Sequence, residues 1–289
     1  MARQSHKRRI GSGFQQVDQR LLMAGDVQVW MSSGDLRIEG NASSNRVDIA
    51  EVNGMLRVTG NYLYGNTTIN GQSTPFEIDA NLVDDVFIGM NGGNDRVFVN
   101  NVHLNNTSHG DLVIDTDGGN DMVGVYNTLA RDIIVRTHGN DDQVVVAYSN
   151  ATDDIDVELG SGNDELDLYA VSAGDRIEID GDTGNDDVAI QYSSAANKLF
   201  ADLDSGDDIM WINGGNYEDI EINGDKDDDR VTLYGVTVAD DLDIELHDGY
   251  DQLSINNTTV GGSINLDGGP GVDKASGSGN NFDIMKLFK

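Results

Sequence analysis

Gly162-Asn163-Asp164-Glu165-Leu166-Asp167-Leu168 is followed, 22 residues on, by Gly184-Asn185-Asp186-Asp187-Val188-Ala189-Ile190. Each stretch opens with residues that make tight turns and ends in a strand whose apolar residues alternate. The closing aspartate of the turn recurs in both directions, at Asp95, Asp121, Asp142, Asp208, Asp229, Asp251 and Asp273. The first interval is 26 residues and the others are 21 or 22. The extra residues of the first fit a loop around Asn105-Asn106-Thr107. A fixed period of this length, held through nine turns, is the signature of stacked repeats.

After each of these anchor aspartates comes a strand with two inward residues, as in Val144/Val146, Val188/Ile190 and Val231/Leu233. Halfway round the repeat lies a second such strand, as in Ile155/Val157, Ile177/Ile179 and Leu242/Ile244. The predicted fold is therefore all-β: a right-handed parallel β-solenoid with coils of about 22 residues, two strands and two corners per coil. Like strands stack into parallel sheets, each burying one aliphatic ladder. An apolar period of two, with glycine in every coil, argues against helices.

Four segments follow. Residues 1–24 form a basic tail or export segment and 25–60 an antiparallel hairpin cap. Residues 61–281 are the solenoid, and 282–289, from Phe282 on, a C-terminal cap. The hairpin reading rests on Ser32-Ser33-Gly34-Asp35 and Asn53-Gly54, turn sequences flanked by alternating apolar residues. Caps are expected because each open end of a solenoid exposes a row of unpaired backbone groups.

The 289 residues carry a net charge of −33, with 35 Gly, 2 Pro and no Cys. So acidic a field repels nucleic acid and attracts cations. The fold is not stapled by disulfides, and the absence of cysteine leaves the redox compartment open. No stretch is apolar enough to span a membrane. Met1–Arg9 gathers four of the 18 Lys and Arg residues with no apolar segment after it, which is not an ordinary signal peptide.

The turns carry the chemistry. Glycine stands two residues before the anchor at 93, 119, 162, 184, 206, 249 and 271, and fails only at Asn140 and Asp227. Further acids stand four before the anchor at Asp117, Asp182, Asp204 and Asp225. On one reading these are simply turn residues whose side chains bond their own backbone. On the other, carboxylates stacked about 5 Å apart repel one another unless a cation lies between them. Oxygen-only donors on a turn suit calcium better than zinc, copper or magnesium. The candidate ligands are Asp95, Asp117, Asp121, Asp142, Asp164, Asp182, Asp186, Asp204, Asp208, Asp225, Asp227, Asp229, Asp251 and Asp273, with calcium at a minority of turns. Asp225 with Asp227-Asp228-Asp229 is the richest.

Gly268-Gly269-Pro270-Gly271-Val272-Asp273-Lys274-Ala275 resembles the nonapeptide of calcium-binding RTX β-rolls, and Gly181-Asp182-Thr183-Gly184-Asn185-Asp186-Asp187-Val188 is similar with Asp for the second Gly. The resemblance implies calcium held between coils by Asp and turn carbonyls. RTX coils are shorter, however, and carry the motif at both corners, whereas here it occupies one. At the front, Val17-Asp18-Gln19-Arg20-Leu21-Leu22-Met23 resembles the Leu-Glu-x-Arg-x-Leu-Leu segment of planctomycete extracellular proteins, with Val-Asp in place of Leu-Glu and Met23 in the last place. It runs on into Gly25-Asp26-Val27 and Gly34-Asp35-Leu36-Arg37-Ile38. That resemblance implies export to the cell surface or beyond.

Other signals are weaker. His138 and His247 lack the partners of a zinc site. No nucleophile elbow or phosphate loop is present, and basic residues do not cluster at one coil phase. Tyr126, Tyr148, Tyr169, Tyr192 and Tyr234 recur near one corner, as packing or as a sugar-stacking row. The sequence thus points to a non-enzymatic, exported structural or adhesive repeat protein stiffened by calcium. Its alternatives are a polysaccharide-binding or polysaccharide-active β-helix and a metal-independent, fibre-forming solenoid. The partners expected are calcium ions, surface polysaccharide or further copies of the chain, and not nucleic acid.

Overall fold

The computed structural model describes residues 25–60, 67–104 and 110–288. The expectations placed on the first 24 residues and on the loop at Asn105 lie outside that range. Strict alternation has its expected result: Val188 and Ile190 are fully buried while Asp187, Ala189 and Gln191, which alternate with them, face outward. Strands of successive coils pair in parallel and in register, Leu166 with Val188 and Val188 with Met210. Every inward side chain therefore lands on its counterpart one coil away, giving continuous columns of Val, Ile and Leu.

Two 12-stranded sheets result. One, the anchor sheet, holds the strands that follow the anchors, from Arg96–Asn100 to Lys274–Ser278. The opposite sheet runs from Val86–Gly89 to Ile264–Asp267. The structure adds a third element to the expected two strands per coil. A two-residue strand, such as Ser172–Ala173, closes the far corner in smaller sheets of four and three strands. Its inward residues are small at first (Ala130, Ala151, Ala173, Ala195) and larger later (Tyr217, Val238, Val260).

The front of the chain forms two hairpins, β1 (Asp26–Ser32) with β2 (Asp35–Glu39) and β3 (Arg46–Val52) with β4 (Met55–Gly60). Asn53 and Gly54 both take positive φ, 54° and 77°, as a type I′ turn requires. The inner strands β2 and β3 pair in parallel with Val86–Gly89 and Arg96–Asn100, so they form the first rung of the stack. The outer strands β1 and β4 run antiparallel and cover its edges, with Thr68–Ile69 and Phe76–Asp79 beyond them. At the other end, Ile284 is buried in a helical turn, Ile284–Leu287, with Phe282 and Phe288 packed against the core. Among the described residues, helical structure is confined to this turn and Ala80–Leu82, both outside the repeats.

Backbone conformation explains several residue choices. Six residues past each anchor the chain is left-handed, at Asn101, Asn127, Tyr148, Ala170, Tyr192, Gly214, Gly235, Asn257 and Gly279. A Cβ in that region costs about 1–2 kcal/mol. Ala170→Gly is therefore expected to raise stability by about 1 kcal/mol in urea unfolding, since glycine already serves in three other rungs. Tyr148, Tyr169 and Tyr192 stack edge to face at this corner, with centroids 5.3 and 5.7 Å apart. Tyr148 and Tyr192 remain more than half exposed there.

Candidate metal centre

Four residues before each anchor the chain is again left-handed. Asn91, Asp117, His138, Asp182, Asp204, Asp225 and His247 hold φ between 61° and 70°, and Gly160 and Gly269 take the same place. Asn, Asp and His tolerate this conformation better than other residues with a Cβ. Two residues before the anchor, glycine is needed for closeness as well as angle. A Cβ on Gly184 would overlap the carbonyl oxygen of Gly162 in the preceding coil. Asn140 and Asp227, where the glycine fails, still take positive φ, whereas Gly249 and Gly271 do not.

The anchor carboxylates are built into the stack. Each offers Oδ1 to the backbone N–H of the anchor one coil earlier: Asp142 N–H donates to Asp164 Oδ1 (2.7 Å), Asp164 to Asp186 (2.8 Å) and Asp186 to Asp208 (2.7 Å). This ladder runs unbroken from Asn45, whose N–H donates to Asp95, to Asp273. The residue before the anchor makes a second ladder in the reverse direction. Asn185 N–H donates to Asn163 Oδ1 (2.8 Å), and Asp228 N–H to Asp207 Oδ1 (3.0 Å). The turn side chains thus bond the backbone of the neighbouring coil, and in the first rung the Ser44 hydroxyl accepts from Asn94 N–H in the same way (3.0 Å).

The second oxygen has no such use. Oδ2 of Asp95, Asp121, Asp142, Asp164, Asp186, Asp208, Asp229 and Asp251 is enclosed and has no hydrogen-bond partner. Burial first, with neighbouring carboxylates adding to it, raises these acids to about 7 at Asp95 and Asp186, and to about 8 at Asp142 and Asp229. Asp121, Asp164, Asp208 and Asp251 rise to about 6. In the first rung the anchor's place is taken by Asn45, whose amide donates to the carbonyls of Asn41 (3.1 Å) and Ser43. That slot accepts a donor: a proton on the aspartate, or a cation.

Carboxylates converge elsewhere on the turn. Asp180, Asp182 and Asp204 bring one oxygen each within 4.8 Å of one another, and so do Asp202, Asp204 and Asp225. Asp115 and Asp117 do the same with His138. The rule is common to the three. The acid that ends the opposite-sheet strand joins the left-handed residue two positions on, and the left-handed residue of the next coil completes the group. Oxygens this far apart can all reach one ion at about 2.4 Å, the calcium–oxygen distance. Oδ1 of Asp180 and Oδ1 of Asp202 are enclosed without a partner, and burial followed by neighbouring charge raises both acids to about 6. His138 Nε2 lies 3.1 Å from Asp115 Oδ1, a bond that raises the imidazole. At the far corner, Asp153, Asp154 and Asp175 form another group, as do Asp219, Asp240 and Asp241.

Of the residues singled out in the sequence, Asp117, Asp182, Asp204 and Asp225 join such groups. Asp95, Asp121, Asp142, Asp164, Asp186, Asp208, Asp229 and Asp251 lie in the buried ladder and Asp273 ends it. Asp227 stands exposed on its turn. Sequence reasoning missed Asp115, Asp180 and Asp202. Their signal was present as Asp-x-Asp at 115–117, 180–182 and 202–204. Sequence reasoning also missed the far-corner acids, although Asp153, Asp175, Asp219 and Asp241 share one phase of the repeat. Neither protein-family models, curated proteins nor solved structures give a match to this chain. What stands is a parallel β-solenoid with acidic groups that can hold a metal ion.

Proposed function

We propose that this chain is a non-enzymatic, exported structural or adhesive element whose acidic corner takes up calcium and is stiffened by it. The observation that carries the reading is the pair of carboxylate groups sharing Asp204, each with one enclosed oxygen that lacks a partner. Asp204 would bridge two ions one rung apart, and turn carbonyls and water would complete the six to eight oxygens calcium takes. The RTX-like and planctomycete-like segments support calcium and export respectively. An ion there removes repulsion between coils, so binding is coupled to folding.

At pH 7.5, millimolar calcium is expected to raise the melting temperature by about 5 °C over chelator, with magnesium giving less than half of that. Asp204→Asn should remove most of the rise, because both groups lose a ligand together. Equal melting in chelator, calcium and magnesium would rule calcium out.

A further inference from the structure

The outward faces of the two large sheets differ sharply in charge over the last four rungs. On the opposite sheet every rung shows a carboxylate: Asp202, Asp219 and Glu221, Asp243 and Glu245, Asp267. The anchor sheet shows none. Its outward residues are Ile209, Trp211 and Asn213, then Arg230, Thr232 and Tyr234. Gln252, Ser254 and Asn256 follow, then Lys274, Ser276 and Ser278. In a chain with 51 acids a four-rung face without one stands apart. Its cations are also free. Arg136, Arg176 and Lys198 on the opposite sheet are all paired with acids, whereas Arg230 and Lys274 are exposed and make no ion pair among the described residues.

The register puts Arg230, Gln252 and Lys274 in one column and Thr232, Ser254 and Ser276 in the next, bordering a shallow groove of about 380 Å³. Trp211, 38 % exposed, continues the second column, with Ala189 on its other side. Tyr234 is half exposed beside them.

We infer that this face binds an extended polysaccharide running along the solenoid axis, with carboxylates on alternate sugars. A flat aromatic ring among amides and hydroxyls is what a sugar ring needs, apolar on its face and hydrogen-bonding at its edge. Arg230 and Lys274 stand two rungs apart, roughly 9.6 Å by sheet spacing, with Gln252 between. An extended sugar chain advances about one ring per rung, so the two cations meet every second ring. Nucleic acid fits poorly, since two cations cannot balance a charge on every nucleotide. At physiological salt, fields fade over about 8 Å, so groups on this face outweigh the net charge of the molecule. The inference is independent of calcium.

The test uses the full chain carrying Trp30→Phe, which leaves Trp211 as the only tryptophan, in chelator at physiological salt. Hyaluronan oligosaccharides, with a carboxylate on alternate sugars, are titrated against Trp211 fluorescence, beside neutral cello-oligosaccharides and polygalacturonate. Saturable binding is expected with hyaluronan at least tenfold tighter than with either comparison. Arg230→Gln with Lys274→Gln should weaken it at least tenfold while far-UV circular dichroism and melting stay unchanged. No saturable change with hyaluronan overturns the inference. So does binding that appears only when the titration is repeated with calcium in place of chelator and that ignores the double variant, which would place the glycan at the acidic corner. A fluorescence change that follows protein concentration alone would make the partner a second copy and likewise overturn it.

Discussion

Melting in chelator is expected about 10 °C higher at pH 5 than at pH 8. The eight enclosed anchors rise from 3.8 to between about 6 and 8 in the fold, so the folded state binds protons that the unfolded state has released. A raised acid contributes no penalty below about pH 4, where both states are protonated. Its penalty grows as the pH rises further and is complete above its folded value. Stability therefore falls between about pH 4 and pH 8, the reverse of ordinary acid denaturation. Raising a single carboxyl pKa by one corresponds to about 1.4 kcal/mol. An anchor such as Asp142, at about 8, keeps its proton in the fold while the unfolded chain has released it, so between pH 5 and pH 8 it alone costs about 4 kcal/mol. A net loss of about 4 kcal/mol corresponds to roughly 10 °C for a chain of this size. Melting temperature measured from pH 5 to 8 decides it, and a flat or rising profile would remove the protonated ladder. Calcium added at pH 8 should narrow the difference if cations replace the protons.

Asp186→Ala is expected to cost about 3 kcal/mol at pH 5, while Asp186→Asn costs less than about 1. Alanine removes Oδ1 and leaves the buried Asp164 N–H with no acceptor. That penalty is about 1–3 kcal/mol, and a small cavity adds to it. Asparagine keeps an oxygen for that N–H, and its amide can bond turn carbonyls as Asn45 does in the first rung. At pH 8 the asparagine variant should be more stable than the parent, because the group that must ionise is gone. Urea unfolding of both variants at pH 5 and pH 8 tests this. If asparagine is as damaging as alanine at both, the second oxygen does something no amide replaces, and a metal at the anchors becomes the better account. Loss of the calcium effect in Asp186→Asn, with Asp204→Asn harmless, would likewise move the ion from the Asp-x-Asp corner to the ladder.

The repeat was legible because parallel in-register stacking demands the same inward residue at the same phase of each coil. Val144, Leu166, Val188 and Met210 announce one column in the linear sequence. The hairpins were legible because Asn53-Gly54 can hold two positive φ angles in succession. The third strand was not, since Ser172–Ala173 is too short to show a period. The metal-competent groups were legible in part. Asp182, Asp204 and Asp225 share a phase, but their partners Asp180 and Asp202 read as ordinary strand ends.

Sequence alone therefore determined the period, the sheets and the acidic edge, because these are local patterns repeated in phase. Only the tertiary structure decided what each acid does. Two aspartates four residues apart, Asp182 and Asp186, look alike in the chain. In the stack, one is held left-handed at the surface beside Asp180 and Asp204, and the other is enclosed with one oxygen on a backbone N–H of the preceding coil. That difference arises from contacts between coils 22 residues apart, where burial and neighbouring charge set the chemistry of each carboxylate.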